Sequence, residues 1–403
     1  MSGDGRPSVT MTTNPQLDVD RIIDDRRIRI IVCCGSGGVG KTTTAAAIGL
    51  RAAERGRQVC VLTVDPARRL AQSMGLSSLD NTPRLVEGID DEAGGSLHAM
   101  MLDMKRTFDE IVEAHSDPTR AAQILANPFY QSLSSSFSGT QEYMAMEKLG
   151  QLRRSDEWDL IVVDTPPSRS ALDFLDAPER LGRFLDGRLI RLLTSPVKAG
   201  RPFGRMLNAG FSMMTGAMTK VLGGQLLRDA QTFVTAFDTM FGGFRERAEA
   251  TYQLLQAPGT SFLVVATPEP DALREASYFV ERLAEERMPL AGLLLNRVHS
   301  AGSCRLSAAR SVGAAETLET MISNGPLATD SAARDTLAAQ TVSAAALRLH
   351  ASRMNLGERE RRVAGSFMSA HPAVPVVEVP ALPDDVHDLA GLRRVGESFA
   401  VQA

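Results

Sequence analysis

Residues 28–43 read Ile28-Arg29-Ile30-Ile31-Val32-Cys33-Cys34-Gly35-Ser36-Gly37-Gly38-Val39-Gly40-Lys41-Thr42-Thr43. The first seven are almost all apolar, as in a strand buried on both faces. The alanine-rich stretch from Thr42 to about Arg55, closed by Gly56, reads as a helix. Between strand and helix, Gly35–Thr42 fits the spacing G-x-x-x-x-G-K-T. Glycines let backbone N–H groups turn toward phosphate oxygens. The positive end of the helix adds to that attraction. In this arrangement Lys41 reaches β- and γ-phosphates, and the Thr42 hydroxyl is a ligand for Mg²⁺. Ser36, Gly37, Gly38, Val39, Gly40 and Thr43 complete the cradle.

Working outward, Val59–Val64 reads as a second buried strand. Leu160–Val163 ends at Asp164, Phe262–Ala266 near Thr267, Leu290–Leu295 at Asn296, and Val374–Val379 at Pro380. A shorter strand is expected around Leu97–Leu102. The strand–helix–strand order predicts an α/β fold of the P-loop NTPase kind, with a central, mainly parallel sheet flanked by helices. Ligands on such sheets sit at the C-terminal strand ends, where Asp65, Asp164 and Asn296 all lie. Asp164 suits the magnesium shell, directly or through water. Asp65 can face the γ-phosphate and position or activate water. The Asn296 amide, both donor and acceptor, suits an adenine edge.

Residues 1–24, rich in Gly, Pro, Ser, Thr, Asn and Asp, are expected to form a flexible tail, leaving 25–403 as one ATPase domain. Two stretches exceed simple crossovers and predict a helical insertion subdomain. One is about 103–153. The other is about 176–257, where Leu207, Phe211, Met214, Met218 and Leu222, then Ala230, Phe233, Phe237, Met240 and Phe244, recur at helical spacing. Helix of undefined extent is expected between 305 and 365.

With 44 Lys plus Arg against 48 Asp plus Glu, the net charge of -4 argues against nucleic acid as a partner. Five lysines against 39 arginines fit a GC-rich coding sequence, as in actinobacteria. No apolar run is long enough for a transmembrane helix, and no secretory signal is visible. A cytoplasmic setting follows, open to transient membrane association. Cys33, Cys34, Cys60 and Cys304 form no Cys-x-x-Cys pair and read as structural thiols.

The residues from Gly35 to Thr43, Asp65-Pro66-Ala67 and Asp164-Thr165-Pro166-Pro167-Ser168, with Asn296 and Val379-Pro380-Ala381-Leu382-Pro383, resemble the arsenite-pump ATPase family. That family includes the ATPases that deliver tail-anchored membrane proteins, within the wider class of deviant Walker A ATPases. The resemblance implies ATP or ADP as the ligand and Mg²⁺ as the metal. It implies a nucleotide-sandwiched dimer, either a homodimer or a heterodimer with a paralogous ATPase. It assigns Asp65 to water activation, Asn296 to adenine, and the loop carrying Pro380 and Leu382 to closure over the base. It also makes 176–257 the place for a hydrophobic or membrane-protein client.

Three departures from the family pattern stand out. Ser36 replaces the lysine that reaches across the dimer, with Arg68, Arg69 and Arg169 as candidates for compensation. Arg68 replaces a histidine in the Asp65-Pro66-Ala67 continuation. The interface Cys-x-x-Cys is missing, and no thiol cluster offers a metalloid site. The leading expectation is Mg²⁺-dependent ATP hydrolysis coupled to a dimer cycle. The alternatives are a partitioning-type positioning ATPase and a nucleotide-bound scaffold with little hydrolysis.

Overall fold

The computed structural model describes residues 14–65, 69–127, 130–131, 140–166, 246–299, 306–325 and 331–400. Its core is an eight-stranded sheet in the order β3-β4-β2-β5-β1-β6-β7-β8. The strands are β1 (Ile30–Cys34), β2 (Gln58–Thr63), β3 (Arg84–Leu85), β4 (Ser96–Met101), β5 (Leu160–Asp164), β6 (Thr260–Ala266), β7 (Leu290–Val298) and β8 (Val376–Pro380). Every pairing is parallel except β3 with β4. Parallel strands need crossovers, and helices such as α2 (Lys41–Glu54), Thr140–Ser155 and Pro270–Glu285 supply them. All residues of β1, β5 and β6 are buried. That burial on both faces is why these strands read as unbroken apolar runs.

Strand order places the site. β1 is central, with β5 on one side and β6 on the other. In register, Asp164 lies opposite both Cys33 and Thr63. The ends of β1, β2 and β5 therefore stop at one level, where the glycine loop leaves the sheet.

The expected tail boundary at residue 24 needs correction. Residues 14–24 pack onto the domain. Gln16 bridges Val376 in parallel, Leu17 N–H donates to Val376 O at 3.0 Å, and α1 (Val19–Asp24) buries Val19 and Ile23. Asp20 accepts from Arg51 at 2.5 Å, and Asp24 pairs with Arg55. The apolar Leu17, Val19 and Ile23 are diluted by polar neighbours, which masks the segment's pattern in composition. Two further boundaries differ. β7 runs past Asn296 to Val298, and the helical region after 305 resolves into Ala308–Asn324 and a long helix, Ser331–Ala370.

Between β4 and β5 lie helices Met104–His115, Pro118–Leu125 and Thr140–Ser155. Asp103 and Asp117 cap the first two by accepting from Arg106 N–H and Arg120 N–H. Of the 176–257 insertion, only 246–257 falls within the described residues, helical over 246–256. The periodic runs at 207–222 and 230–244 lie outside them. No helix among the described residues is long and apolar enough to cross a membrane.

At the opposite end of the sheet, the guanidinium of Arg57, 1% exposed, gathers backbone carbonyls from three segments. It donates to Ile23 O at 2.8 Å, Ile28 O at 2.6 Å and Asp159 O at 2.6 Å. Each carbonyl left without a donor costs about 1 kcal/mol or more. Arg57→Leu is therefore expected to lower stability by about 3 kcal/mol, read as a lower urea midpoint with little change in slope.

Candidate functional site

The loop after β1 is shaped by close backbone approaches. Gly35 has φ +151° and lies against β6, where an added Cβ would meet Val265 O at 2.1 Å. Gly40 has φ +98°, and a Cβ there would sit 2.3 Å from Asn296 Nδ2. Only glycine fits both positions. Lys41, 6% exposed at the start of α2, bends back so that Nζ donates to Ser36 O at 2.8 Å. Burial pushes its pKa down, while the charges of Asp164 and Asp65 oppose that shift. Both carboxylates thus lie within electrostatic reach of Lys41. The Ser36 contact is through its backbone carbonyl, so it does not depend on which side chain stands there.

Asp164 is fully buried at the end of β5. Its Oδ2 accepts from Thr42 Oγ1 at 2.8 Å and from Thr63 Oγ1 at 2.8 Å. Its Oδ1 is buried and has no hydrogen-bond partner among the described residues. Burial, partly offset by those two hydroxyls and by Lys41, pushes the carboxyl up to about 6. A desolvated carboxylate with one unsatisfied oxygen, beside a P-loop threonine, is a donor set that suits Mg²⁺.

Beside these groups, Asp65 is half-buried just past β2, its N–H donating to Thr63 Oγ1 at 3.2 Å. Thr165 Oγ1 donates to Cys33 O at 2.9 Å, which ties the segment after β5 to β1. Sequence reading assigned Thr63 no role and offered Thr165 only as part of the Asp164–Ser168 stretch. The only available signal for Thr63 was a hydroxyl at a strand end two residues before Asp65.

On the other flank, Asn296 Nδ2 donates to Val39 O at 2.8 Å, and its Oδ1 accepts from Arg297 N–H at 3.0 Å. A cleft of about 1050 Å³ is lined by Gly40, Thr42, Thr43, Asn296, Pro380 and Leu382, among others. Its size suits a nucleotide. The structure thus brings together Gly40, Thr42, Thr43, Asn296 and the Pro380–Leu382 segment along one cleft, while Asp164 meets Thr42 at the end of β5 and Asp65 lies just past β2. His299, also on the cleft, was missed. Its N–H and Nδ1 both contact the Glu360 carboxylate, at 2.8 and 2.7 Å, joining the end of β7 to the long helix. Pro66, Arg68 and Arg169 lie outside the described residues, as do Pro167, Ser168 and the Arg69 side chain. Cys33, Cys34 and Cys60 are buried, and burial raises their pKa values, to about 12 for Cys34 and Cys60, so they are thiols at neutral pH.

A parallel sheet with a glycine loop on its central strand, a lysine and threonine opening the next helix and a buried acid on the neighbouring strand defines a P-loop nucleotide hydrolase. The comparison with known families narrows this. The profile described as anion-transporting ATPase matches residues 28–324, and the chain belongs to that family. It is similar to the ATPase GET3 of Ajellomyces dermatitidis, 26% identical over 297 residues, which cover 72% of this chain and 80% of that protein. The ATPase GET3 of Malassezia globosa is 25% identical over 280 residues, covering 70% and 76%. The ATPase get3 of Pyrenophora tritici-repentis is 25% identical over 281 residues, covering 69% and 76%. The protein is accordingly a nucleotide-binding ATPase. Pro380 and Leu382 fall beyond the matched family region.

The raised Asp164 has a consequence for stability. Between the ordinary 3.8 and about 6, the folded chain holds a proton that the unfolded chain releases. The nucleotide-free fold therefore loses stability as pH rises through that window. Asp164→Asn removes this contribution, so its melting temperature is expected to gain on the parent's as pH rises from about 4 to about 6 and to hold that gain above. Parallel melting curves of the two proteins measure the difference. A constant offset across that range would contradict it.

Proposed function

We propose that this ATPase couples ATP hydrolysis to a conformational cycle in a dimer, made of two copies or of one copy with a paralogous ATPase. Residues from 14 onward act as one ATPase domain with helical insertions at about 103–153 and 176–257, and the second insertion receives a hydrophobic or membrane-protein client. The protein works in the cytoplasm and meets membranes transiently through that client. The observation that carries the catalytic part is Asp164, buried, held by Thr42 and Thr63, and left with one unsatisfied oxygen. The client and dimer parts rest on the family resemblance and on the apolar periodicity of 207–244.

The roles follow from the chemistry of the residues. Backbone N–H groups of Gly35–Thr43 bind the triphosphate, with Ser36, Gly37, Gly38, Val39 and Gly40 supplying the turn. Lys41 exchanges the Ser36 carbonyl for β- and γ-phosphate oxygens. Asp65 orients the attacking water in line with the γ-phosphate and accepts its proton. Asn296, Pro380 and Leu382 hold the adenine. Mg²⁺ held by Thr42 and Asp164 would offset charge on the phosphate oxygens. Loop donors and Lys41 stabilise the charge that develops as the bond from the γ-phosphorus to the bridging oxygen breaks and ADP leaves with that oxygen.

Steady-state ATP hydrolysis with Mg²⁺, measured across protein concentration, tests the cycle. Activity per subunit that rises with concentration is expected for a competent self-dimer. Activity that appears only on adding one paralogue supports a heterodimer. Activity per subunit independent of both would overturn the dimer cycle. Asp65→Asn is expected to keep ATP affinity within about threefold and lose at least about 100-fold in turnover. Normal turnover would remove Asp65 from the water-activating role. Lys41→Ala is expected to abolish productive ATP binding, read by calorimetry.

A further inference from the structure

We infer that Asn296 is a positioning residue for the phosphate loop: its carboxamide holds the loop in the shape that receives a triphosphate, whatever base is attached. This deepens the ATP-site reading above and rests on it. The pairing of β7 with β8 is irregular between Leu295 and Val298, and Arg297 stands in the left-handed region at φ 59°. That local turn aims Arg297 N–H back at Asn296 Oδ1 at 3.0 Å. The amide orientation is thereby set, because a flip would put two donors face to face. With oxygen fixed on that side, Nδ2 points across the sheet end and donates to Val39 O at 2.8 Å, over a separation of 257 residues.

The contact falls where the loop has least support of its own. Gly40 caps α2 with no side-chain cap hydrogen bond. Its missing Cβ leaves the space the amide fills, since an added carbon would lie 2.3 Å from Nδ2. A glycine-rich backbone samples many conformations, so one directional hydrogen bond next to Lys41 selects among them. A carboxamide has a second N–H and a second oxygen lone pair. The clamp therefore leaves Asn296 able to meet a base as well. The two roles separate when the base is removed.

Inorganic tripolyphosphate, which has no base, is the probe. Its Mg²⁺-supported binding and that of ATP are measured by calorimetry on the parent chain, Asn296→Ala and Asn296→Leu. Tripolyphosphate is expected to weaken by roughly three- to tenfold in both variants, and ATP by at least as much. Loss of ATP affinity with tripolyphosphate unchanged would overturn the clamp and leave the adenine contact standing. No change for either ligand would overturn it too, as would a parent that binds ATP but not tripolyphosphate. A parent that binds neither would remove the phosphate-loop reading itself. Should the variants fail to fold, the parent decides alone. Slow solvent exchange of the Asn296 side-chain amide protons in the nucleotide-free chain, with NMR contacts to Val39 and Gly40, is expected. Exchange at the rate of an exposed amide, without those contacts, would overturn the inference.

Discussion

Two hydroxyl hydrogen bonds to one oxygen of Asp164 relate three parts of the chain that are far apart in sequence. Thr42 belongs to the helix after the loop, Thr63 to β2 and Asp164 to β5. The bonds form because β2, β5 and β1 are neighbours in parallel register, with Asp164 opposite both Thr63 and Cys33. A buried carboxyl group is costly unless donors or a cation meet it. Here donors meet only one oxygen, and burial raises the group's pKa to about 6. The fold thus keeps an electrostatic demand at the mouth of its sheet, directly beside the phosphate cradle.

The other side of the cradle is built differently. Gly35 lies on the Val265 carbonyl, and Gly40 lies against the Asn296 amide. The loop is therefore held from β6 and β7 by contacts that no larger residue would allow. Lys41 completes the cage by turning its ammonium onto Ser36 O. Beyond β6 and β7, strand β8 ends at Pro380, where the cleft wall with Leu382 begins. The glycine loop and the Pro380–Leu382 wall thus stand at the same end of the sheet.

Much of the site was legible locally. The G-x-x-x-x-G-K-T spacing between a strand and a helix carries its own geometry, because glycine, lysine and threonine are each chosen by backbone and charge. Asp164 and Asn296 could be found because apolar runs end at them. Thr63 and His299 could not, since a hydroxyl or imidazole near a strand end has many ordinary uses. The packed segment 14–24 was hidden for a related reason. Leu17, Val19 and Ile23 are too sparse to show a pattern, and the segment's partners, Val376 on β8, Arg51 on α2 and Arg57, are distant in sequence.

The amino-acid sequence by itself determined that a phosphate-binding loop sits between a buried strand and a helix, that several parallel strands follow, and which acids end them. Those features depend on residue type at short spacing. Tertiary structure decided that β5 lies between β1 and β2, that Asp164 meets Thr42 and Thr63, and that Asn296 grips Val39. Each of these contacts joins residues more than one hundred positions apart. Local periodicity says which face of a strand is buried. It does not say which strand will be its neighbour, and the hydrogen-bond partners at the strand ends follow from that choice alone.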